Sequence, residues 1–292
     1  MEIDFDPPDA SANFPGTPLQ QSGTYAAVLR SFGCHSAVAD IRSDGARLAR
    51  ARILVRGIGP LRLAWVPRGP VWAHGVARAD QSRALAALPR AAPWCALWAM
   101  GGDAGGARRG LPVARGGNVA ELDLTQGEQL RRSAQHGKWR NRLKRAETAG
   151  LSITAAPLEL PRDAVLLARE RAQRRARGYA ALPHAFLERW QNIAPQDTLL
   201  LTAKDGGAPV AFMLFLLHTP TATYHLGWSG ERGRATGAHG LLLWRASQEL
   251  AARGYHRLDL GHADPQRTPG ITRFKLGAGA APRALGATTL CL

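Results

Sequence analysis

The stretch from Thr223 to Gly279 constrains this chain most, because strand, glycine-rich basic turn, helix, buried strand and loop follow one another in it without a break. Thr223-Tyr224-His225-Leu226-Gly227-Trp228 reads as an apolar strand that stops at Ser229-Gly230. The turn Arg232-Gly233-Arg234-Ala235-Thr236-Gly237-Ala238-His239-Gly240 opens a helix from Leu241 to Arg253, whose Leu242, Leu243, Ala246, Leu250 and Ala251 fall mainly on one face before Gly254 ends it. His256-Arg257-Leu258-Asp259-Leu260 reads as a buried strand, and a loop ending in Gly270-Ile271-Thr272-Arg273-Phe274-Lys275-Leu276-Gly277 follows. Free backbone N–H groups and the positive end of the helix dipole converge at the turn, where Gly237 and Gly240 let the main chain approach a ligand, so an anion is expected there.

Arg234-x-x-Gly237-x-His239 is similar to the Arg/Gln-x-x-Gly-x-Gly/Ala pattern with which acetyltransferase-like folds hold the coenzyme A pyrophosphate. His239 stands where that pattern has a small residue. An ordinary glycine-rich connection between strand and helix is the competing reading.

At 292 residues the chain can bury one large core or two modest ones. No segment approaches the length of apolar chain that spans a bilayer. The start, Met1-Glu2-Ile3-Asp4-Phe5-Asp6, is acidic where a secretory signal is positive, which argues for the cytoplasm. Cys34, Cys95 and Cys291 have neither disulfide-framework nor zinc spacing and are expected reduced and buried; no metal site is expected. With 38 Lys and Arg against 22 Asp and Glu, the formal charge is +16. A GC-rich coding sequence explains why arginine replaces lysine, but not why acids are few, so polyanion binding is favoured.

Residues 1 to 16 read as a polar arm. Thr17 and Pro18 predict a helix start, with Leu19, Tyr25, Val28, Leu29 and Phe32 on its apolar side. Strands are expected near 36–42, 48–56 and 61–66, the first two joined by a hairpin turn at Ser43-Asp44-Gly45. A helix near 79–88 and a strand near 94–100 complete a first domain, 17–100, and the Gly/Arg-rich segment 101–118 reads as a linker. The second domain, 119–282, opens with strand 120–124 and a capping box Thr125-x-x-Glu128 leading into one helix that ends at Gly150. That helix carries Arg131, Arg132, Lys138, Arg140, Arg142, Lys144 and Arg145, with Trp139, Leu143 and Ala146 inward; a solvated basic face competes with phosphate contact as its explanation. A strand at 151–155, an arginine-rich helix ending at Arg177-Gly178-Tyr179, a short helix after Pro183 and a meander from Thr198 to Leu226 follow. This order predicts an α+β fold of the acetyltransferase (GNAT) type, with mixed, mostly antiparallel sheets flanked by helices.

Several segments together resemble the Fem family, peptidyltransferases that move an amino acid from aminoacyl-tRNA to an amine on a cell-wall precursor. The carriers are Gln20-Gln21-Ser22, Val66-Pro67-Arg68-Gly69-Pro70-Val71, Lys138-Trp139-Arg140-Asn141-Arg142-Leu143-Lys144-Arg145-Ala146, Arg177-Gly178-Tyr179 and the Gly270 to Gly277 stretch. The resemblance implies two acetyltransferase-like domains, with the tail 283–292 returning to the first. It makes Lys275 the main site candidate, contacting the tRNA end and stabilising charge in the transferring ester, with Phe274 beside it. It places Tyr224 on the substrate and offers Arg30, Arg68, Arg175, Arg177 and Tyr179 for the acceptor, with arginines as a clamp on its phosphates. Lys138, Arg140, Arg142, Lys144, Arg145 and Arg273 would meet tRNA, while Arg234, Gly237 and Gly240 would hold a tRNA phosphate or a pyrophosphate. The family often has an acid after Pro-Arg-Gly-Pro-Val; here the residues are Trp72, Ala73 and His74, and the coiled-coil insert of some members is missing.

The implied chemistry needs a neutral amine, an acyl carbonyl within its reach and a group that stabilises the oxyanion. A lysine-like amine is neutral only about once in a few thousand at pH 7, so its deprotonation is a large part of the barrier. Lys275, one of four lysines in the chain, suits the oxyanion as a compact charge, and Asp259 could take a proton or orient the amine. Three functions remain open from sequence: an aminoacyl-tRNA-dependent transferase with no bound cofactor, whose partners are the charged tRNA and an amine-bearing peptide or phosphorylated precursor; an N-acyltransferase using acyl-coenzyme A; and a non-catalytic RNA- or anion-binding protein.

Overall fold

The structure, a computed structural model, describes residues 1–9, 13–58, 61–92, 95, 97–102, 110–178 and 181–291. The chain forms two compact units, Met1–Asn118 with Arg283–Leu292, and Val119–Pro282. The first contains β1 (Glu2–Phe5), α1 (Gly23–Arg30), β2 (His35–Ser43), β3 (Ala46–Ile58), β4 (Leu61–Val66), β5 (Val71–Trp72), α2 (Arg78–Ala91), β6 (Leu97–Gly102) and β7 (Leu111–Ala114). The second follows with β8 (Asn118–Asp123), α3 (Glu128–Ser133), α4 (Gly137–Glu147), β9 (Ser152–Ala156), α5 (Leu160–Arg177), α6 (His184–Ile193), β10 (Thr198–Asp205), β11 (Ala208–His218), β12 (Thr221–Ser229), α7 (Glu231–Thr236), α8 (Ala238–Ala252), β13 (Arg257–His262), α9 (Pro269–Gly277) and β14 (Ala281–Ala284). The chain ends in β15 (Gly286–Cys291), which rejoins the first sheet between β6 and β7.

The first sheet has the order β1-β2-β3-β4-β6-β15-β7, with β5 on β3, and only β4 and β6 run parallel. The expected arm therefore contains an edge strand, Glu2 to Phe5, which pairs antiparallel with β2. Arg50 ties the following residues down by bonding Asp9 at 2.7 Å and the fully buried Asp40 at 2.7 Å. The expected helix start at Thr17 is instead a 3-10 turn, Leu19–Gln21, and α1 begins after Ser22, whose hydroxyl accepts from Tyr25 N. Asp44 and Gly45 both take positive φ, 50° and 77°, as a tight hairpin turn between right-twisted strands requires. Part of the expected linker is strand β7, and residues 103–109 of it lie outside the described residues. One face of this sheet is sealed by α2, with Ile53, Val55, Val66, Leu88, Trp98 and Met100 as its core.

The second sheet has the order β14-β8-β13-β12-β11-β10-β9, with β12 and β13 parallel. Alternation along β11 feeds two cores. Met213, Phe215 and Leu217 join Trp139 of α4 and Leu242, Leu243 and Leu250 of α8, while Phe212, Leu214 and Leu216 are equally buried and face away from that cluster. The single helix expected after Thr125 is broken. Thr125 bonds Asp123 rather than capping, Gly127 stands at the N-cap, and α4 restarts after His136, whose backbone N–H donates to Gly277 O at 3.0 Å. Two other expected loops are helical: much of the basic turn forms α7, and the Phe-Lys loop forms α9, which Pro269 starts at a position where its missing N–H costs nothing.

Candidate active site

The parallel pairing of β12 and β13 covers only Thr221–Arg257, Ala222–Leu258 and Thr223–Asp259. Beyond these pairs β12 continues to Ser229 and β13 to His262 without bonding each other, so the sheet opens into a wedge. Its walls are Tyr224 and the residues after it on one side, and Leu260, Gly261 and His262 on the other.

Lys275 enters this region from α9. Its Nζ donates to His262 O at 2.6 Å and lies 3.8 Å from where a Cβ on Gly261 would stand. The side chain is 8% exposed. Burial pulls its ammonium down from 10.5 to about 8, against the opposing charge of Asp259. Asp259 is itself 1% exposed and its Oδ1 accepts from Gly261 N at 2.7 Å, which fixes the β13 turn beside the lysine. The Phe274 ring points into the core, 6.1 Å from the Trp139 ring and 6.5 Å from His239, so it anchors α9 and thereby sets where Lys275 reaches.

Tyr224 packs its ring 5.7 Å from Phe215 and folds along its own strand. A Cβ on Gly227 would come within 2.7 Å of the Tyr224 hydroxyl and 2.8 Å of Phe212 O, so the site needs glycine at 227. His225 is the extra residue of a bulge, because β11 pairs Leu214 with Leu226 and Phe215 with Tyr224. Its ring meets Phe186 of α6 at 6.2 Å, and burial with the nearby Arg174 charge pushes it down to about 4, so it is neutral. On α5, Glu170 is 7% exposed and pairs with Arg174 Nε at 3.6 Å; burial holds its carboxyl above the usual range. The sequence shows His225 only as one residue of an apolar strand and gives no signal at Glu170; nothing in the alternation of Thr223 to Trp228 marks the bulge.

The turn expected to cradle an anion is backed by α4, with Ala238 buried and Gly237, His239 and Gly240 half-buried. Gly237, φ 74°, ends α7 and starts α8, and a Cβ there would stand 3.6 Å from Ala146 Cβ and 3.7 Å from Arg142 O of α4. Gly240 lies likewise 3.8 Å from the Trp139 ring, and Ala238 has no exposure. Arg234 donates to Ser229 O at 2.6 Å, closing the end of β12. The misfit at His239 has a structural explanation: Nε2 donates to Trp228 O at 3.0 Å, and burial keeps the ring below its ordinary pKa.

The other sequence candidates separate. Lys138, Arg142, Lys144 and Arg145 line the exposed side of α4, whereas Arg140 bonds Ser133 O and Gln135 O at the end of α3. Arg273 is exposed and its Nε donates to Pro269 O. Arg175 and Arg177 are exposed at the end of α5, and Tyr179 lies outside the described residues. Arg30 and Arg68 belong to the first unit. Arg30 donates to Ser36 Oγ, and Arg68 takes φ 50°; burial of Arg283, with the charge of Arg68 nearby, brings Arg283 down to about 10. Among the described residues no three His, Cys, Asp or Glu side chains converge as a metal site requires, and no helix is long and apolar enough to cross a membrane.

Residues 133–281, which hold the wedge, Lys275 and that turn, match the family model described as an acetyltransferase (GNAT) domain. The chain belongs to the GNAT acetyltransferase family. Its chemistry is therefore acyl transfer. Among solved structures, the GNAT-family chain is similar to FemX, with 12% identity, a TM-score of 0.73 and coverage of 94% of this chain and 92% of that one. It is also similar to the C-terminal domain of a putative lysylphosphatidylglycerol synthetase from Agrobacterium fabrum, at 17% identity, TM-score 0.54 and coverage of 94% and 88%. A protein of unknown function from Bacteroides thetaiotaomicron follows at 13% identity, TM-score 0.53 and coverage of 91% and 90%. At these identities the likeness is one of fold, and it bears out the Fem-like and GNAT-type architecture expected from the motifs. No curated protein sequence matches the chain.

Proposed function

We propose that this GNAT-family chain is an aminoacyltransferase, which moves an amino acid from aminoacyl-tRNA to an amine of a peptide or of a cell-wall-precursor-like acceptor. The observation that carries the reading is how closely α4 backs the turn. A coenzyme A pyrophosphate needs open N–H groups at the first turn of α8, and here Ala238 is buried and α4 lies within 4 Å of the Cβ position of Gly237. A donor that presents its acyl ester from outside does not need that cradle. The exposed cations of α4 suit a polynucleotide backbone. Likeness in fold to FemX agrees with this reading, and likeness to a putative lysylphosphatidylglycerol synthetase domain widens the acceptor to lipid headgroups.

In the step itself the neutral acceptor nitrogen attacks the ester carbonyl, the C–N bond forms, and the C–O bond to the ribose breaks. The nitrogen loses a proton and the departing ribose oxygen gains one. Lys275, charged below about pH 8, is suited to hold the oxyanion of the tetrahedral intermediate. Asp259, next to it, keeps that charge in place and its backbone turn rigid.

The test is direct: incubate the protein with radiolabelled aminoacyl-tRNA, or with labelled acyl-coenzyme A, and a panel of amines. RNase-sensitive transfer is the expected result. Transfer from the thioester alone makes the protein an acyl-coenzyme A-dependent enzyme, and RNA binding without turnover removes catalysis altogether.

A further inference from the structure

The first unit carries an apolar face that its own helices leave partly open. Cross-strand partners in a sheet point to the same side. The registers Leu54–Trp65, Trp65–Ala99, Ala99–Leu290 and Leu290–Leu111 therefore lay one row of side chains across β3, β4, β6, β15 and β7. The next row is Arg56, Leu63 and Leu97. These are the residues that alternate with the core sealed by α2, so they face the other way. Leu54 and Ala99 are buried in this row, at 2% and 9% exposure, and Leu290 is half-buried, while the larger Trp65 stands out at 41% and Leu111 at 66%. Single exposed apolar residues are ordinary, but an indole and a leucine exposed in one row of leucines form a patch that marks contact with something else.

The rim of the patch is basic. Arg56 is exposed beside Leu63. Arg30 is exposed too, and it reaches the same face by donating to Oγ of Ser36, the register partner of Leu54. None of the five strands that build the face contains an Asp or a Glu.

We propose that this face docks on an anionic phospholipid bilayer. An indole settles at the boundary between headgroups and acyl chains, leucines gain by leaving water there, and guanidiniums pair with the phosphates. RNA is favoured less, because nucleobases stack on aromatic rings and the patch offers one ring among aliphatic side chains. A second copy is also disfavoured, because two chains of charge +16 would bring their Arg30 and Arg56 rims face to face.

Co-sedimentation of the full chain with vesicles tests this. The protein should pellet with phosphatidylcholine vesicles that contain phosphatidylglycerol, stay in solution with phosphatidylcholine alone, and be released by salt. The double variant Trp65→Ser, Leu111→Ser should lower the bound fraction at fixed lipid at least about tenfold while its melting temperature and its transfer activity in solution stay unchanged. Arg56→Glu, at an exposed position, gives an independent and smaller loss if the double variant folds poorly. The proposal is overturned if the wild type ignores anionic vesicles, or if both variants pellet like the wild type. It is overturned equally if the variants keep vesicle binding and lose instead single-stranded RNA binding or self-association on size exclusion.

Discussion

Each unit has a parallel strand pair joined by a helical crossover, β4 with β6 and β12 with β13, and the two pairs end differently. In the first unit β4 and β6 stay bonded from Leu63–Leu97 to Val66–Met100, so pairing lasts to the final residue of β4. In the second, pairing of β12 and β13 stops at Thr223–Asp259, and β12 goes on for another six residues, Tyr224 to Ser229. One seam is closed along its length and the other opens. The open seam is where the bulge at His225, the turn at Gly261 and the buried Lys275 gather, as expected of a site that must admit a substrate between strands. Fold alone therefore does not make a site; what differs is where backbone pairing is given up and which side chains fill the gap.

The sharpest way to break this comparison is Lys275→Ala, which should cut acyl transfer at least about a hundredfold in single-turnover assays with little loss of melting temperature. Rates within threefold of wild type would take Lys275 out of the chemistry. The same residue predicts a pH profile. Its folded pKa is lowered to about 8, so the ammonium is present below that value and is lost as pH rises through it, giving a falling limb near pH 8. Lys275→Arg should move that limb upward, whatever it does to the maximum rate.

A paired substitution sharpens the contrast between the seams. Gly227→Ala places a Cβ against the Tyr224 hydroxyl and the Phe212 carbonyl, so it should cost about 1–3 kcal/mol of stability and lower transfer about tenfold. Gly101→Ala, beside β15, meets the Thr288 side chain and no backbone atom among its three nearest neighbours; it should cost less by thermal melting and leave transfer unchanged. Equal effects on transfer would erase the difference claimed between the units. The last effect concerns His225. Its folded pKa, about 4, lies below its ordinary 6.5, so the unfolded chain binds the extra proton and stability falls as pH drops through that window. His225→Asn should flatten the acid side of the stability curve by about 1–3 kcal/mol, measured by urea melts at pH 4.5 and 7.

Much of this was legible in the residues. Alternation and turn chemistry located the β2–β3 hairpin and the β10–β11–β12 meander, because those signals are local. The helical nature of α7 and α9 was not, since glycines at 233, 237, 270 and 277 read as loop while packing makes them helix or helix cap. The break between α3 and α4 was hidden for a similar reason: it is set by the α9 end, where His136 N meets Gly277 O and Ala134 backs onto Gly279. At the site, Lys275 and Asp259 were readable from motif and strand end. Burial of Lys275 against His262 O was not, because it depends on strands that separate only in three dimensions. The anion cradle at Gly237 was inferred from local sequence alone, which does not show that Trp139 and Ala146 of a distant helix stand beside it.

The account stands on the proposal that α4 crowds the helix-start turn of this GNAT-family chain against coenzyme A while the wedge takes an acyl ester. Titration calorimetry with acetyl-coenzyme A, next to binding of aminoacyl-tRNA under the same salt, measures it. The account predicts no coenzyme A binding tighter than about 1 mM together with salt-sensitive tRNA binding. Micromolar binding of acetyl-coenzyme A that is lost in Gly237→Ala would contradict it.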